Sequence, residues 1–259
     1  MTGAAYLSAA AALRTGVGLV NLGIPASLNP ILEAKITEAL TVPLPDNGDG
    51  FLSEKALEKV IERCQWADAV VIGPGCGREA KTLQVLKDAI LWCAENEKPA
   101  LIDADALYAI SQNRELLSKL TDKIVLTPHH GEFLRMADSS AEKLKQKPWE
   151  ALGEFTNKTK AVINLKGAPS LVGDNEGKLF INPNGNEGLA KGGSGDALSG
   201  LIGGLIARGL PVRDAAVYGN FIHGAAADLL AEEMGTTAMI PSELLDIIPA
   251  IIKDLEEFA

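Results

Sequence analysis

Short, continuous apolar runs alternate with amphipathic segments along most of the chain. The runs at 69–72, 100–102, 123–126 and 161–165 have the length of buried strands, and helices are predicted between them at 53–63, 79–95, 107–120 and 148–159. Strands that are apolar at every position are typical of a parallel sheet that helices cover on both faces. The pattern therefore predicts a doubly wound α/β fold with a mostly parallel sheet.

The two ends of the chain add elements outside this alternation. An alanine-rich helix is predicted at 4–15, followed by a strand at 17–22. Towards the other end, a hairpin is predicted from strands at 170–172 and 178–181, and three helices follow at 196–208, 212–233 and 242–258. No linker-like or repeated segment divides the sequence, so we predict a single domain over residues 1–259.

Charge and composition narrow the range of ligands. Lys and Arg number 24 against 34 Asp and Glu among 259 residues, a net charge of −10. This average field repels nucleic acids and anionic membrane surfaces, so neither is an expected partner. The apolar stretch at 197–210 is shorter than the roughly 18 residues that span a bilayer. Cys64, Cys76 and Cys93 lack the spacing of a zinc site or a disulfide framework, which favours the reducing cytoplasm.

Three polar segments follow predicted parallel strands and are expected to meet at one edge of the sheet. Residues 73–77 form a glycine-rich turn that either accepts a phosphate on its amides or only reverses the chain. Asp103 and Asp105 either cap the next helix or take part in chemistry. The segment 127–132 holds two histidines and one glutamate, too few ligands for a zinc site, so we expect it to hydrogen-bond a polar substrate.

The glycine-rich loop 185–196 leads directly into an apolar helix. Its glycines allow backbone N–H groups to converge at the helix N-terminus, where the helix dipole favours an anion. Asp196 either caps this helix or acts as a general base, and we favour the base. A carboxylate there repels a bound phosphate, but it accepts the proton of a hydroxyl while the amides stabilise a transferring phosphoryl group. The loop lacks the flanking residues of a Walker motif.

Single residues elsewhere receive simpler interpretations. Lys166 follows the strand at 161–165 and precedes a glycine turn, which suits the phosphates or ribose of a nucleotide but also a solvated lysine. His223 lies inside the predicted helix 212–233 and is interpreted as a packing residue. Cys76 is interpreted as a small turn residue, because nothing in the sequence marks a base that would activate it.

In this order, the segments resemble the NAD(P)H-hydrate dehydratase family, a branch of the ribokinase-like superfamily. Each motif alone is modest evidence, whereas the ordered set is specific and covers nearly the whole chain. The residues that carry the resemblance lie at 2–5, 12–20, 72–75, 102–107, 126–129, 131–132, 165–167, 185–196 and 198–200.

The resemblance implies a three-layer α/β/α fold with a mostly parallel central sheet and a small β-hairpin. It implies a lyase that uses ADP or ATP with Mg²⁺ to phosphorylate the hydroxyl of the (6S) hydrates of NADH and NADPH (NADHX and NADPHX), after which loss of phosphate restores the reduced cofactor. ADP is the favoured donor, and Mg²⁺ is expected to arrive with it. Two alternatives stay open: a vitamin or sugar kinase of the same superfamily, and a non-catalytic nucleotide-binding protein.

The resemblance also assigns residues. Asp196 is the expected catalytic base, and Ala4, Gly75, His129 and Asp196 are expected to face the hydrate. The nucleotide is expected to contact two segments, namely Lys166, Gly167, Ala168, Pro169 and Ser170, and Asn186, Glu187, Gly188, Leu189, Ala190, Lys191, Gly192, Gly193, Ser194 and Gly195.

Four departures from the family pattern carry expectations of their own. The family usually has a glycine-rich strand ahead of Thr2, so the chain is expected to lack that strand or to be a fragment. His130 stands where proline is usual, and Tyr108 replaces an asparagine. Lys191 occupies a usually neutral position and is expected to strengthen the contact with phosphate. No epimerase segment is recognised within residues 1–259, so the expected partner epimerase is either a separate protein or a domain lost with the N-terminus. Further copies of the chain in a homo-oligomer are also expected.

Overall fold

The computed structural model describes residues 1–257 and contains eight strands in that range. They are β1 (Asn21–Pro25), β2 (Leu40–Leu44), β3 (Val70–Ile72), β4 (Ala100–Ile102), β5 (Ile124–Leu126), β6 (Val162–Leu165), β7 (Ser170–Gly173) and β8 (Leu179–Asn182). The α-helices are α1 (Thr2–Leu13), α2 (Asn29–Lys35), α3 (Ala56–Trp66), α4 (Ala80–Glu95), α5 (Asp105–Gln112), α6 (His130–Met136), α7 (Ala141–Gln146), α8 (Pro148–Thr156), α9 (Ser194–Ala207), α10 (Val212–Met234) and α11 (Pro241–Glu257). Short 3₁₀ segments span Ala26–Leu28, Arg114–Lys119 and Glu187–Leu189.

Strands β3 to β8 form one sheet in the order of the sequence. The first four are parallel, with Ile72, Ile102 and Leu126 in register, and β7 and β8 add an antiparallel hairpin. The predicted mostly parallel sheet and small hairpin are therefore confirmed. Because β3, β4, β5 and β6 run in the same direction, the segments that follow them lie at one edge of the sheet, as the sequence predicts.

Helices cover both faces of the sheet, which explains why its strands are apolar throughout. Leu101 and Val125 pack against α1, α9, α10 and α11, whereas their neighbours Ile102 and Ile124 pack against α4, α5 and α8 on the other face. Side chains of a strand alternate between faces, so each buried face requires an apolar residue. The result is the three-layer α/β/α arrangement predicted from the sequence.

Close contact between α1, α9 and the sheet depends on small residues. A Cβ atom added to Gly200 would lie 1.9 Å from the backbone oxygen of Ser8, and one added to Gly203 would lie 2.3 Å from Cγ2 of Val71. Both distances are far below van der Waals contact, so larger residues would push α9 away from α1 and from β3. The small-residue composition of α9 therefore serves packing inside the protein.

The region before β3 differs most from the prediction. The strand predicted at 17–22 begins only at Asn21, where pairing with β2 begins, and neither α2 nor β2 was predicted. β1 and β2 form a separate parallel pair in which Pro43 lies opposite Ile24, and the prolines obscure the strand pattern. An apolar cavity of about 700 Å³ lies between this pair and β3.

Other predicted helices differ at their ends. Ser53 does not cap α3, because its hydroxyl donates to the backbone oxygen of Pro45 at 3.1 Å and the helix begins three residues later. The helix predicted at 107–120 is divided at Asn113, whose extended φ of −143° ends α5 before the 3₁₀ segment. Helices α6 and α7 are too short to show a clear period and were not predicted. The predicted end of the last helix at 258 lies outside the described residues.

A helix that spans a membrane needs about 20 predominantly apolar residues. Within residues 1–257, none of the helices combines the length and the apolar character that crossing a bilayer requires.

We expect Gly200→Ala to lower the free energy of unfolding by about 1–3 kcal/mol or more, because the new methyl group would overlap the backbone of Ser8. Denaturant unfolding followed by circular dichroism measures this change. Gly153→Ala is the matched control, since a Cβ in that helical position meets no atom within 4 Å and is expected to stabilise the protein by up to about 1 kcal/mol. Equal effects of the two substitutions would contradict the packing account.

Candidate active site

Charged side chains converge at the carboxyl edge of the sheet, below the first turn of α9. Asp103, which follows β4, is only 2% exposed and accepts hydrogen bonds from Lys166 Nζ at 2.8 Å and from Ser199 Oγ at 2.7 Å. Lys166 follows β6, and a Cβ added to Gly195 would lie 3.3 Å from its ammonium. The strand ends and the start of α9 thus form one polar site.

Asp196 lies in the first turn of α9 but does not cap the helix. The N-cap residue is Gly193, whose φ of +101° requires glycine, and α9 begins at Ser194. The capping interpretation of Asp196 is therefore wrong. Its carboxylate is free to contact a ligand at the helix N-terminus, where the backbone N–H groups favour an anion.

The environment of Asp196 makes it a stronger base than an ordinary aspartate. Burial raises the pKa of Asp196 to about 6, and the nearby charge of Asp103 adds to this, while Lys166 acts in the opposite direction. A carboxylate with a pKa near 6 is still ionised at neutral pH and accepts a proton more readily than one near 4. The site therefore combines a carboxylate of raised pKa with a cation and with a helix N-terminus that favours anions.

The glycine-rich loop before α9 is held by α10. Asp228 accepts hydrogen bonds from the backbone N–H of Gly185 and from Nδ2 of Asn186, both at 3.0 Å. Gly224 lies so close to Asn184 that an added Cβ would be 2.8 Å from its atoms. These contacts fix the start of the loop, and sequence reasoning missed Asp228 because a carboxylate in a long helix has no distinguishing pattern.

The far end of the loop is also attached to α10, through His223. Its Nε2 lies 3.4 Å from Ser194 Oγ, and burial lowers the pKa of the imidazole to about 4, so it is neutral at physiological pH. The interpretation of His223 as a packing residue agrees with this burial. Its contact with the first residue of α9 was not predicted.

Lys191 does not direct its charge towards the site. Its ammonium donates to the backbone oxygens of Thr237 at 2.7 Å and Met239 at 2.5 Å, in the connection between α10 and α11. The expectation that Lys191 adds a positive side chain to a phosphate contact therefore needs correction. Carbonyl oxygens of the connection compensate the charge, and the residue ties the loop to that connection.

The two segments beside β5 and β6 are joined to each other. Lys166 N–H donates to the backbone oxygen of Pro128 at 2.8 Å, and the hydroxyl of Ser170 donates to the oxygen of Gly167 at 3.0 Å. The predicted nucleotide segment 166–170 is therefore a closed turn beside His129. Residues 186–195 approach it through Gly195, next to Lys166.

His129 has a structural role that the sequence did not reveal. It is the N-cap of α6, where Nδ1 accepts hydrogen bonds from the N–H groups of Gly131 at 3.0 Å and Glu132 at 3.4 Å. Burial is the largest effect that lowers the pKa of His129. Because Nδ1 is occupied, a contact of this half-exposed imidazole with a substrate would be through Nε2, which lies 3.5 Å from Glu132 Oε2.

Ala4 and Gly75, both predicted to face the hydrate, are neighbours. A Cβ added to Gly75 would lie 2.9 Å from Cβ of Ala4, and the φ of +70° at Gly75 also favours glycine. In the same turn, the N–H groups of Cys76 and Gly77 donate to Gly73 O at 3.2 Å and to Asp105 Oδ2 at 2.7 Å. These two amides are not free for a phosphate, so of the two interpretations left open for this turn the observed hydrogen bonds favour chain reversal.

Comparison with known families decides the relationship of the chain. A model of the NAD(P)H-hydrate dehydratase family matches residues 1–250. The chain belongs to this family. The resemblance seen in the sequence motifs is confirmed by a match that includes all the segments described above.

Two relatives differ in the share of their own length that the chain covers. It is 39% identical over 257 residues to the bifunctional NAD(P)H-hydrate repair enzyme of Moorella thermoacetica, covering 99% of this chain and 48% of that protein. It is 34% identical over 255 residues to the ADP-dependent (S)-NAD(P)H-hydrate dehydratase of Xanthomonas campestris, covering 98% of this chain and 84% of that protein. The chain spans about half the length of the bifunctional relatives it matches.

Solved structures confirm the ribokinase-like fold. The ADP/ATP-dependent NAD(P)H-hydrate dehydratase of Bacillus subtilis, co-crystallised with ATP and Mg²⁺ and soaked with CoA, has a TM-score of 0.78 at 29% identity, covering 98% of this chain and 87% of that one. A ribokinase-like superfamily protein of Enterococcus faecalis has a TM-score of 0.82 at 26% identity, covering 97% and 82%.

The residues of this family member fit Mg²⁺ as an ion carried by a nucleotide. Both oxygens of Asp103 accept hydrogen bonds from Lys166 and Ser199, which leaves Asp196 as the carboxylate at the start of α9 with free oxygens. Within residues 1–257, no group of three or more His, Cys, Asp or Glu residues is placed to hold a metal. Mg²⁺ commonly keeps several waters and takes its other ligands from phosphates, which suits this site.

We expect Asp196→Asn to raise the melting temperature by a few degrees at pH 7.5 and to have little effect near pH 4. The folded-state pKa of about 6 lies above the ordinary aspartate pKa of about 4, so the folded protein binds an extra proton between these values and loses stability as the pH rises through that window. Calorimetry of both proteins from pH 4 to 8 measures the difference. Asp138→Asn is the control, because Lys158 lowers the pKa of Asp138. A wild type more stable than Asp196→Asn at pH 7.5 would contradict this.

We expect Asp228→Ala to speed hydrogen exchange of the amides in 184–195 by about 10- to 100-fold, the range for losing hydrogen bonds to a charged group. Exchange measured by mass spectrometry tests this. Glu232→Ala removes an exposed acid one turn further along α10 and is expected to leave the loop unchanged. The same exchange rate in both variants would show that Asp228 does not hold the loop.

Proposed function

We propose that the protein is an ADP- or ATP-dependent dehydratase that restores NADH and NADPH from their (6S) hydrates. The observation that carries the proposal is Asp196, a carboxylate with a pKa raised to about 6, at the glycine-rich start of α9 and close to Lys166. Membership of the NAD(P)H-hydrate dehydratase family supports the same reaction, and the Bacillus subtilis relative, named as ADP/ATP-dependent, supports the choice of donor.

The nucleotide is proposed to lie along the two loops that meet at Lys166. Segment 166–170 and residues 186–195 would contact it, with its terminal phosphoryl group at the N–H groups of the first turn of α9. Lys166 offsets negative charge there, since its ammonium lies beside Gly195. Mg²⁺ bound with the nucleotide would neutralise further phosphate charge. Asp103 holds the ammonium in place, and Ser199 in turn donates to the other oxygen of Asp103.

Asp196 is proposed as the base of the first step. Its carboxylate accepts the proton of the substrate hydroxyl while that oxygen bonds to the terminal phosphorus of the nucleotide, and the bond from that phosphorus to the rest of the nucleotide breaks. The phosphate then leaves the hydrate with the former hydroxyl oxygen and its bonding electrons, while water takes a proton from the neighbouring carbon and the electrons of that C–H bond restore the ring double bond. Phosphorylation matters because hydroxide is a poor leaving group and phosphate a good one.

The hydrate is proposed to lie against Ala4, Gly75 and His129. Ala4 and Gly75 contribute no side chain larger than a methyl group; Ala4 is buried, and Gly75 lies against Ala4 and the backbone of Met1. His129 offers Nε2, because its Nδ1 is occupied by the cap of α6.

The proposal also covers where the protein acts, what supplies its substrate and whether it self-associates. We infer that the domain formed by this chain acts in the cytoplasm and that an epimerase, separate or fused, supplies its substrate in the (6S) form. Self-association is supported by exposed apolar side chains on the edge strand β8 and on α10, including Ile181 and Tyr218, which are 58% and 49% exposed.

We expect the protein with Mg²⁺ and ADP or ATP to restore absorbance at 340 nm when mixed with NADH hydrate, and Asp196→Asn to lower kcat by about 10²–10⁴-fold, the usual contribution of a general base. The wild-type rate is expected to fall as the pH drops below about 6, because protonated Asp196 no longer accepts a proton. Asp214→Asn, in the first turn of α10, is the matched control.

Three results would contradict this account. A folded protein that consumes no hydrate with either nucleotide would exclude the dehydratase. A stable phosphorylated product would indicate a kinase. Unchanged turnover in Asp196→Asn would remove Asp196 as the base.

A further inference from the structure

Arg78 is an exposed cation that is fixed at the rim of the site by two contacts. Its Nε donates to Asp105 Oδ1 at 3.0 Å, and its guanidinium lies 4.4 Å from the centre of the Tyr108 ring. Tyr108 is the residue that departs from the family pattern, and the structure gives it a role as the surface on which Arg78 stacks. A cation over an aromatic face is attracted electrostatically, so this contact orients the guanidinium plane.

The remaining donors of Arg78 are available to a ligand. Its side chain is 52% exposed, and within residues 1–257 neither terminal nitrogen donates a hydrogen bond. The planar pair of terminal nitrogens matches two oxygens of a phosphate group, and a guanidinium already ordered by Asp105 and Tyr108 loses little freedom on binding. This arrangement is typical of an arginine that binds an oxyanion.

Arg78 belongs to the side of the site where the hydrate is proposed to bind. It directly follows the turn 73–77, which packs on the segment after β4, since a Cβ added to Gly73 would lie 1.8 Å from Asp103 O. The charge of Asp105, the partner of Arg78, also acts on Asp196. Lys166 lies instead beside Gly195, in the part assigned to the nucleotide phosphates.

We propose that Arg78, oriented by Asp105 and Tyr108, binds the diphosphate that links the two halves of the dinucleotide hydrate. The inference rests on the proposed function, because it takes the substrate from it. The turn itself cannot bind this diphosphate through the N–H groups of Cys76 and Gly77, because both already donate hydrogen bonds inside the protein. The chain carries a net charge of −10, so an anionic substrate depends on local donors of this kind.

Arg78→Gln is expected to raise KM for the hydrate about 10- to 100-fold and to leave kcat within about two-fold, since a charge-assisted hydrogen bond to substrate is lost but the reacting atoms are not touched. Tyr108→Leu is expected to raise the same KM roughly 2- to 5-fold through loss of the stacking surface. Arg114→Gln is the matched control, because Arg114 is 49% exposed and pairs with Asp138 at the same 3.0 Å.

Comparing the changes in KM for NADHX, NADPHX and the nucleotide shows which of these ligands carries the diphosphate that Arg78 binds. The increase in KM is expected to be equal for NADHX and NADPHX, because both carry this group, and KM for ADP or ATP is expected to stay unchanged. An increase confined to NADPHX would assign Arg78 to the extra phosphate, and an increase for the nucleotide alone would assign it to the donor. Either result, or no change in any KM, would overturn the proposal.

A binding measurement separates this inference from the proposed function. NADPH, the product of the proposed reaction, carries the same diphosphate, and its Kd is expected to rise about 10- to 100-fold in Arg78→Gln but not in Arg114→Gln. If the wild type binds NADPH with this dependence but consumes no hydrate, the proposed function fails and the role of Arg78 stands. If NADPH binds equally to all three proteins, or to none, the role of Arg78 fails.

Discussion

The buried ion pair between Lys166 and Asp103 is the interaction on which the site depends. It joins the ends of β4 and β6, and the hydroxyl of Ser199 attaches the same carboxylate to α9. For a buried ion pair, the free energy lost on removing both charges from water can exceed the attraction between them. Removing one partner is more costly still, because it leaves the other charge buried and unpaired. The pair is therefore better explained by what it positions. Lys166 places a cation beside Gly195, and Asp103 places a negative charge that adds to burial in raising the pKa of Asp196, while Lys166 lowers that pKa.

The helices around this pair hold a loop that would otherwise be free. A glycine-rich segment gains close approach to a ligand at the cost of conformational entropy, so its order must come from neighbours. Asp228 and His223 on α10 hold its two ends, and Lys191 attaches its middle to the connection before α11. An anion site built from backbone amides is effective only when the amides already point at the ligand, and these side chains provide that preorganisation.

The sequence predicted the parts of the molecule in which a single segment determines the outcome. The apolar runs of β3, β4, β5 and β6 were recognised within about one residue and the end of the glycine-rich loop within two, because each has its own local pattern. The strands β1 and β2 were missed or misplaced because they are defined by pairing with each other, and Pro43 interrupts the pattern. Long-range pairing has no local signature.

The same limit applies to the side chains of the site. Asp196 was identified because it follows a distinctive loop, whereas Asp228, Arg78 and the destination of Lys191 depend on contacts across 43, 27 and 46 residues of sequence. His129 was recognised as a polar site residue, but its role as the cap of α6 depends on backbone conformation.

The central claim is that burial and a neighbouring carboxylate turn Asp196 into a base suited to neutral pH. An NMR titration of the Asp196 carboxyl carbon in the wild-type protein tests it most directly, with resonances assigned by comparison with Asp196→Asn. The account predicts a midpoint at a pH of about 6. A midpoint near 4, the value of an ordinary aspartate, would contradict it.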